Sequence, residues 1–357
     1  MGNLLILTDA NITSILLTLS KPEIIAFQTT LSTCLQSFSS TSEGSLQPQP
    51  SIITRPEGQK CLFRPFTSPT SAGAKIIVQP AAAGAALHGM IALCDASGIP
   101  TGLLNAEDIT AYRTSLCALI PFTWRRRTQR ILLFGAGKQA LWHLRLMLAL
   151  RGAEIASITV LNRTASRATA LISQIRHENA LYWRSDAAIA YLDPRDATAY
   201  ESSLRDLVGA ADAIFCTTGS TTPLFPASYR TAGRQVYISA IGAWQPDMIE
   251  LDPALLTGLA ETRTGSSGAL LVDDRTAVLQ HSGEALQSGL KSEDVVEIGD
   301  VIRQMAHEQT RDPLLPWLQD GFLVYKSVGV GMMDLAASNA ILDIARERGV
   351  GAVIPDF

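Results

Sequence analysis

The stretch RILLFGAGKQALWHLRLML, residues 130–148, decides the fold. Ile131–Phe134 predicts a short buried strand, and Gln139–Leu150 has the apolar spacing of a helix. Between them, Gly135 permits a tight turn, and Gly137 lets the backbone approach an anion at the start of the helix. The alanine three residues later suffices for close packing of helix on strand. The segment predicts a dinucleotide-binding turn, and the alternative is a glycine turn with only a structural role.

The sequence around this stretch alternates between strand and helix patterns. A helix pattern follows the second predicted strand, Ile158–Leu161, and runs through Ile175. The irregular stretch Asn179–Ser203 is interpreted as a surface excursion. Alternation of this kind predicts an α/β fold, a Rossmann-type doubly wound parallel sheet. The further predicted strands are Ile158–Leu161, Ala213–Cys216, Gln235–Ser239 and Ala269–Val272.

The two ends of the chain show a mixed α+β pattern. Lys21–Leu35 predicts a helix, SIITRPEGQKCLF predicts two short strands around a turn, and Met333–Arg348 predicts the last helix. We expect the C-terminal elements to fold back onto the N-terminal region. The predicted domains are residues 1–124 with 321–357, and residues 125–320.

Composition limits the classes of function. The chain has 357 residues, 47% of them hydrophobic, and a net charge of −4, so it is globular and nothing suggests binding to nucleic acid or to an anionic membrane. Five cysteines without a CxxC pair indicate free thiols in a reducing compartment. The N-terminus lacks the pattern of a signal peptide or a membrane span, so we expect a cytoplasmic protein. No His, Asp or Glu cluster has ligand spacing, so we expect no metal.

The end of the second strand indicates which dinucleotide binds. It reads Val160-Leu161-Asn162-Arg163-Thr164, followed by Arg167, and has no carboxylate for the ribose hydroxyls that NAD enzymes bind. A guanidinium pairs well with a 2′-phosphate. NADPH is therefore favoured and NADH stays possible; the alternative is that Arg163 and Arg167 form a solvated helix start.

Several segments, in order, resemble the ornithine cyclodeaminase/mu-crystallin family. The resemblance runs from about Lys75 to Ala337 and implies a Rossmann domain with a second domain, built from both chain ends, that holds the substrate and forms a homodimer. The matching segments are GAKIIVQP, DASGIPTGLLNAEDITAYRTS, LLFGAGKQA, VLNRTASRA, ADAIFCTTGSTTP, AIGAWQPDMIEL, VDDRTAVLQHSGE and FLVYKSVGVGMMDLAA.

The resemblance also implies roles for individual residues. Lys75 falls on the family's active-site lysine and Arg113 on its substrate-carboxylate arginine. Many members have a second carboxylate-binding arginine in the early strand, where this chain has none, and Arg55 and Arg64 are the nearby candidates. The residues that the resemblance or the pattern assigns to the cofactor are Thr114, Gly135, Gly137, Gln139, Ala140, Asn162, Arg163, Thr164, Arg167, Thr217, Thr218 and Lys326.

One departure indicates the branch of the family. Cyclodeaminases carry an aspartate after the glycine pair of the AIGAWQPDMIEL segment, and Trp244 stands there in this chain. Tryptophan cannot accept a proton, whereas an aromatic wall is compatible with a cationic iminium. The segment resembles mu-crystallin-like members, which reduce cyclic ketimines. Ordinary packing is the alternative for Trp244, and His88, a second pocket candidate, is alternatively a structural histidine.

Together these observations predict NADPH-dependent reduction of a small cyclic 2-imino acid, of the pyrroline- or piperideine-2-carboxylate type. Arg113 would bind the carboxylate and Lys75 would hydrogen-bond the substrate or supply the proton. The alternatives are an ornithine cyclodeaminase, an amino-acid dehydrogenase, or a protein that binds NADPH and a small ligand without turnover.

Overall fold

The computed structural model describes residues 2–82, 86–195, 197–242, 245, 247–262 and 268–357. The chain divides into two compact units. Unit 1 comprises Met1–Arg113 and Val330–Phe357, and unit 2 comprises Thr114–Gly329. None of the helices among the described residues combines the length and the apolar character needed to cross a bilayer.

Strands and helices occur in both units. In chain order, the strands are β1 (Leu4–Leu7), β2 (Ser51–Thr54), β3 (Lys60–Thr67), β4 (Ser71–Gln79), β5 (His88–Asp95), β6 (Pro100–Asn105), β7 (Arg130–Phe134), β8 (Ser157–Leu161), β9 (Ala188–Leu192), β10 (Ala213–Cys216), β11 (Tyr237–Ala240), β12 (Leu270–Val272), β13 (Val295–Glu297), β14 (Leu323–Lys326) and β15 (Ala352–Ile354). The helices are α1 (Asp9–Leu17), α2 (Lys21–Ser40), α3 (Ala106–Trp124), α4 (Lys138–Arg151), α5 (Ala165–Leu181), α6 (Ala197–Ala210), α7 (Pro253–Thr262), α8 (Arg275–His281), α9 (Gly283–Ser288), α10 (Ile298–Met305), α11 (Glu308–Arg311), α12 (Leu315–Asp320) and α13 (Gly331–Arg348).

Unit 1 is built around a mixed seven-stranded sheet in the order β15-β1-β6-β5-β4-β3-β2. Strand β1 runs parallel to β6 and antiparallel to β15, so the first and last strands of the chain are neighbours. Helix α2 buries Ile24, Phe27, Leu31 and Leu35, the stripe expected from helical spacing, and packs against α13. The expectation that the C-terminal elements fold back onto the N-terminal region is confirmed.

Unit 2 is built around an eight-stranded sheet in the order β13-β12-β14-β11-β10-β7-β8-β9. Its described pairings are all parallel, as the predicted doubly wound sheet requires. Strands β10 and β11 are buried along their whole length, because helices cover both faces of a sheet of this class. The predicted fold class is confirmed.

Two sequence interpretations need correction. The interpretation of Asn179–Ser203 as a surface excursion was wrong, because it contains β9, which pairs in parallel with β8, and the start of α6. Strand β9 lies at the sheet edge and buries only Ile189, so its apolar signal was weak.

The predicted domain boundaries are also displaced. Residues 114–124, the second half of α3, belong to unit 2, where the Tyr237 hydroxyl donates to the Ala118 carbonyl oxygen at 2.5 Å. Residues 321–329 belong to unit 2 as well, because β14 pairs with β11 and β12. The unit to which α3 and β14 belong depends on their tertiary partners, which a local sequence pattern does not show.

Candidate functional site

Lys75 lies in the interior of unit 1. It stands on β4 between β3 and β5, and its side chain is only 2% exposed. Its Nζ atom lies 2.6 Å from Asp334 Oδ2 and 3.5 Å from Thr110 Oγ1. A buried ammonium is costly unless it is paired, so the contact with Asp334 is what makes this position tenable.

Arg113 approaches the same carboxylate from α3. Its Nε atom donates to Asp334 Oδ1 at 2.9 Å, and its side chain is buried. Asp334, in the first turn of α13 and fully buried, therefore contacts both predicted active-site residues with its two oxygens. The structure brings Lys75 and Arg113 together on one carboxylate, that of Asp334, for which the sequence indicated no specific role.

Arg64 is the nearer of the two candidates for the second carboxylate-binding arginine. It stands directly opposite Lys75 in the antiparallel pairing of β3 with β4, and so points to the same face of the sheet. Arg55 is exposed in the turn between β2 and β3. We define Lys75, Arg113, Asp334 and the partly buried Arg64 as the buried cluster. With Lys75 protonated it holds three positive charges and one negative charge.

The cluster shifts the pKa values of its own members. Burial lowers the pKa of Lys75 to about 7; Asp334 opposes this shift, while the positive charges of Arg113 and Arg64 add to it. Burial would raise the pKa of Asp334, but Arg113, Lys75 and Arg64 outweigh that effect and lower it to about 2. Asp334 thus stays ionised, and Lys75 can exchange a proton near neutral pH.

His88 does not join the buried cluster. It lies opposite Val78 on β5, and by strand alternation both side chains point to the other face of the sheet from Lys75. Its ring is 70% exposed, and its Nδ1 atom lies 2.7 Å from Glu107 Oε1. The geometry therefore favours the structural alternative for this histidine.

In unit 2 the predicted cradle lies between β7 and α4. Gly135 has a φ of +114°, and a Cβ atom there would meet Thr217 Oγ1 at 2.5 Å, so only glycine fits. A Cβ atom on Gly137, by contrast, would meet nothing within 4 Å, so its backbone borders open space. Gly137 caps α4 without a side-chain hydrogen bond, which leaves the helix N–H groups available to an anion. Ala140 is fully buried in the first turn of α4, as the fingerprint requires, and Gln139 precedes it.

The loops after β10 and β11 are tied together by Glu250. This fully buried carboxylate accepts from the Thr218 N–H at 2.6 Å and from the Gly242 N–H at 2.6 Å. Burial raises the pKa of Glu250, and the charge of Lys326 and these hydrogen bonds oppose that shift. Thr217, one residue earlier, donates its hydroxyl to the Phe134 carbonyl oxygen at 2.7 Å. The predicted threonines thus lie at the carboxyl edge of the sheet, where such folds bind their ligands.

Lys326 holds the same turn from the other side. Its Nζ atom donates to the Gly242 carbonyl oxygen at 2.8 Å and lies 2.7 Å from Glu284 Oε1. Both charged side chains are fully buried. These contacts indicate that Lys326 positions the Gly242 turn. Its assignment to the cofactor stays a prediction.

The segment after β8 shows an exposed arginine beside an uncapped helix. Thr164 caps α5 without a side-chain hydrogen bond, and Arg163 and Arg167 are exposed. The side-chain amide of Asn162 donates to the Thr164 backbone carbonyl oxygen at 2.9 Å. The backbone carbonyl oxygen of Asn162 accepts from the Tyr191 hydroxyl at 3.1 Å. Tyr191, on strand β9, which the sequence did not predict, thus helps to position residues 162–164, the segment predicted to bind the adenosine end of the dinucleotide.

Two of the predicted site residues, Thr114 and Trp244, remain to be placed. Thr114 is buried in α3 next to Arg113, and Trp244 lies outside the described residues. In the described part of the chain, no three His, Cys, Asp or Glu side chains lie close enough together to hold a metal ion.

The chain is similar to known proteins in both sequence and fold. The model of the ornithine cyclodeaminase/mu-crystallin family matches residues 26–349. The Delta(1)-pyrroline-2-carboxylate reductase of Colwellia psychrerythraea is 26% identical over 69% of this chain and 70% of its own length. The ketimine reductase mu-crystallin of Mus musculus is 32% identical over 40% of this chain and 38% of its own. The structure of Thermococcus litoralis Delta(1)-pyrroline-2-carboxylate reductase, in complex with NADH and L-proline, superposes with a TM-score of 0.73 at 17% identity, covering 98% of this chain and all of that one.

Proposed function

The chain belongs to the ornithine cyclodeaminase/mu-crystallin family, and from that premise we propose that it reduces a small cyclic 2-imino acid with NADPH, giving a proline- or pipecolate-like amino acid. The observation that carries this proposal is the buried cluster, in which Lys75 and Arg113 contact the Asp334 carboxylate and the charge of Arg64 acts on it. A related enzyme of Colwellia psychrerythraea is named for the reduction of such an imino acid.

The residues of unit 2 fit a dinucleotide with a 2′-phosphate. The open space at Gly137 and the uncapped start of α4 suit a pyrophosphate, and no carboxylate stands at residues 162–164 to repel a further phosphate. Arg163 is exposed at the start of α5 and would pair with that phosphate. When bound, NADPH supplies the hydride.

The buried cluster fits the imino acid. A carboxylate is the group that its excess positive charge favours, and Arg113 and Arg64 would bind it through charge-assisted hydrogen bonds. The Lys75 ammonium, with a pKa lowered to about 7, would donate a proton to the ring nitrogen as hydride adds to the adjacent carbon, so the C=N bond becomes a CH–NH bond. Asp334 holds Lys75 and Arg113 in place, and its negative charge keeps Lys75 protonated in a fraction of the molecules near neutral pH.

The test is an assay of the purified protein with Delta(1)-pyrroline-2-carboxylate and Delta(1)-piperideine-2-carboxylate, with NADPH and NADH in parallel. We expect oxidation of NADPH with formation of proline or pipecolate. Arg113→Lys keeps the charge but loses the planar fork, so it should raise KM for the imino acid more than it changes the affinity for NADPH. Ammonia release from ornithine, reversible oxidation of alanine, or retention of NADPH without turnover of either imine would contradict the proposal.

We also propose that the protein is a homodimer formed through unit 1. Phe63, Ile76 and Met90 stand side by side across β3, β4 and β5, on the face opposite Lys75, and Phe63 and Met90 are exposed. Exposed Ile53 lies on the neighbouring edge strand. An apolar sheet face of this kind suits a second copy of the same surface. Light scattering should give twice the chain mass, and Phe63→Glu should give the monomer; a monomeric wild-type protein at micromolar concentration would contradict it.

A further inference from the structure

A cleft of about 820 Å³ opens in unit 2 at the amino edge of the sheet. It is lined by residues that precede three neighbouring strands: Arg127 before β7, the end of α6 before β10, and Arg234 before β11. The dinucleotide cradle, by contrast, follows the carboxyl ends of β7, β10 and β11. The cleft and the cradle therefore lie at opposite edges of the same parallel strands.

The cleft has an excess of positive charge even when the adjoining carboxylate of Asp212 is counted. Four arginines line it, Arg127, Arg205, Arg230 and Arg234, against one carboxylate, Asp206. This concentration of positive charge stands out in a chain whose net charge is −4. The volume is that of a site for a small ligand.

Two of the arginines share one carboxylate. Buried Asp212 lies 3.5 Å from Arg127 and 3.3 Å from Arg234, measured from Oδ1 to Nη2. Arg234 also donates to the Ala210 carbonyl oxygen at 2.6 Å. These contacts orient Arg234 in particular, because the Arg127 side chain is 55% exposed and makes the longer contact.

The other two arginines are held by aromatic rings. The guanidinium carbon of Arg205 lies 5.0 Å from the ring centre of Tyr229, and that of Arg230 lies 4.3 Å from the ring centre of Phe322. No carboxylate among the described residues forms an ion pair with either of them. A ring contacts a guanidinium through its face and leaves the edge of the group to hydrogen-bond acceptors. In Arg230 one edge atom, Nη1, donates to the Thr231 carbonyl oxygen at 3.4 Å.

We propose that this arginine cleft is a binding site for a small phosphorylated anion with two or more phosphate groups. Fixed guanidiniums with outward N–H groups match phosphate oxygens in pairs, and several of them in one cleft match a diphosphate better than a single phosphate. The site is separate from the cradle and does not depend on the proposed reductase activity.

The test is calorimetric titration of the whole protein with inorganic pyrophosphate at constant ionic strength, with orthophosphate and citrate as parallel probes. We expect saturable binding of pyrophosphate, tighter than that of orthophosphate or citrate. Arg205→Gln with Arg230→Gln should weaken it about tenfold or more, because each substitution removes hydrogen bonds to a charged group. Arg303→Gln, on α10 and half-exposed beside Asp300, is the matched control and should change nothing.

The cradle could also bind pyrophosphate, and the variants separate the two sites. Binding at the cradle is insensitive to Arg205 and Arg230, so a wild-type affinity that survives the double substitution overturns the proposal, as does the absence of binding. The single variants, each expected to weaken binding severalfold, replace the double variant if it fails to fold.

Discussion

Each unit of the protein buries a lysine, and the two lysines have opposite surroundings. Lys75 in unit 1 pairs with Asp334 and is flanked by the positive charges of Arg113 and Arg64. Lys326 in unit 2 pairs with Glu284, and the carboxylate of Glu250 lies close enough to be influenced by its charge. Cations outnumber carboxylates in the first case, and carboxylates outnumber cations in the second.

The difference indicates what each buried group does. Glu250 accepts from two backbone N–H groups, and Lys326 donates to a backbone carbonyl oxygen, so the charges of unit 2 hold loops in place. The buried cluster of unit 1 has an excess of positive charge when Lys75 is protonated, which is an arrangement suited to an anionic ligand. We therefore propose a positioning role for Lys326 and Glu250 and a catalytic role for Lys75.

The strongest test of this comparison is to remove each lysine in turn. Lys75→Met should lower kcat at least about 100-fold, because it removes the proposed proton donor, while stability changes little since Asp334 keeps Arg113. Lys326→Met should instead lower the free energy of unfolding by about 3–5 kcal/mol, because it leaves Glu284 buried without its partner. Steady-state kinetics and urea unfolding of both variants measure the two effects. The opposite pattern, an active Lys75→Met and a stable but inactive Lys326→Met, would reverse the assignment.

Glu250 provides the next test. Glu250→Ala leaves the N–H groups of Thr218 and Gly242 buried without an acceptor, at a cost of about 3 kcal/mol in the free energy of unfolding. Glu250→Gln keeps one acceptor oxygen and should recover part of that loss. Because the loops border the cradle, KM for NADPH should rise in Glu250→Ala, while the pH profile of kcat stays that of the wild type. A changed pH profile would show that Glu250 takes part in the proton transfer.

The sequence predicts unit 2 better than unit 1 for a physical reason. The cradle is local: strand, glycine turn and helix follow one another in RILLFGAGKQA, and the apolar strands are continuous. Strand β9 escaped prediction because it buries only Ile189.

The buried cluster depends on residues far apart in the chain. Lys75 and Arg113 could be assigned only through the family resemblance, and Asp334 comes from the last helix of the chain. Nothing in the local pattern of MMDLAA separates a buried ion-pair partner from an ordinary acidic residue in a first helical turn. The preference for Arg64 over Arg55 required the strand register.

The pH dependence sharpens the contrast between the two units. As pH rises above about 7 the Lys75 ammonium loses its proton, so kcat/KM should fall on the alkaline side. Asp334 raises the pKa of Lys75, so Asp334→Asn should move this limb to lower pH by at least about one unit. Glu284→Gln, the matched change in unit 2, should leave the limb in place. If the alkaline limb of the pH profile stays in place in Asp334→Asn, the group that titrates there is not Lys75.

The same aspartate should affect acid stability. The pKa of Asp334 lies near 2 in the folded protein, below the ordinary value of 3.8. Its contribution to stability is therefore complete at pH values above 3.8 and is lost as pH falls through about 2. Asp334→Asn should therefore flatten the loss of stability over that window, measured by unfolding at a series of acid pH values.

The smallest expected effect concerns the exposed arginine of unit 2. Arg163 lies in solvent, where a single charge is worth less than in the buried cluster. Arg163→Ala should raise KM for NADPH roughly tenfold, through loss of a charge-assisted hydrogen bond to the 2′-phosphate, and should leave KM for NADH unchanged. Arg303→Ala, an exposed arginine on α10, is the control. Equal changes for the two nucleotides would place Arg163 on the solvated helix start instead, and would leave the selection of NADPH to other residues of the segment.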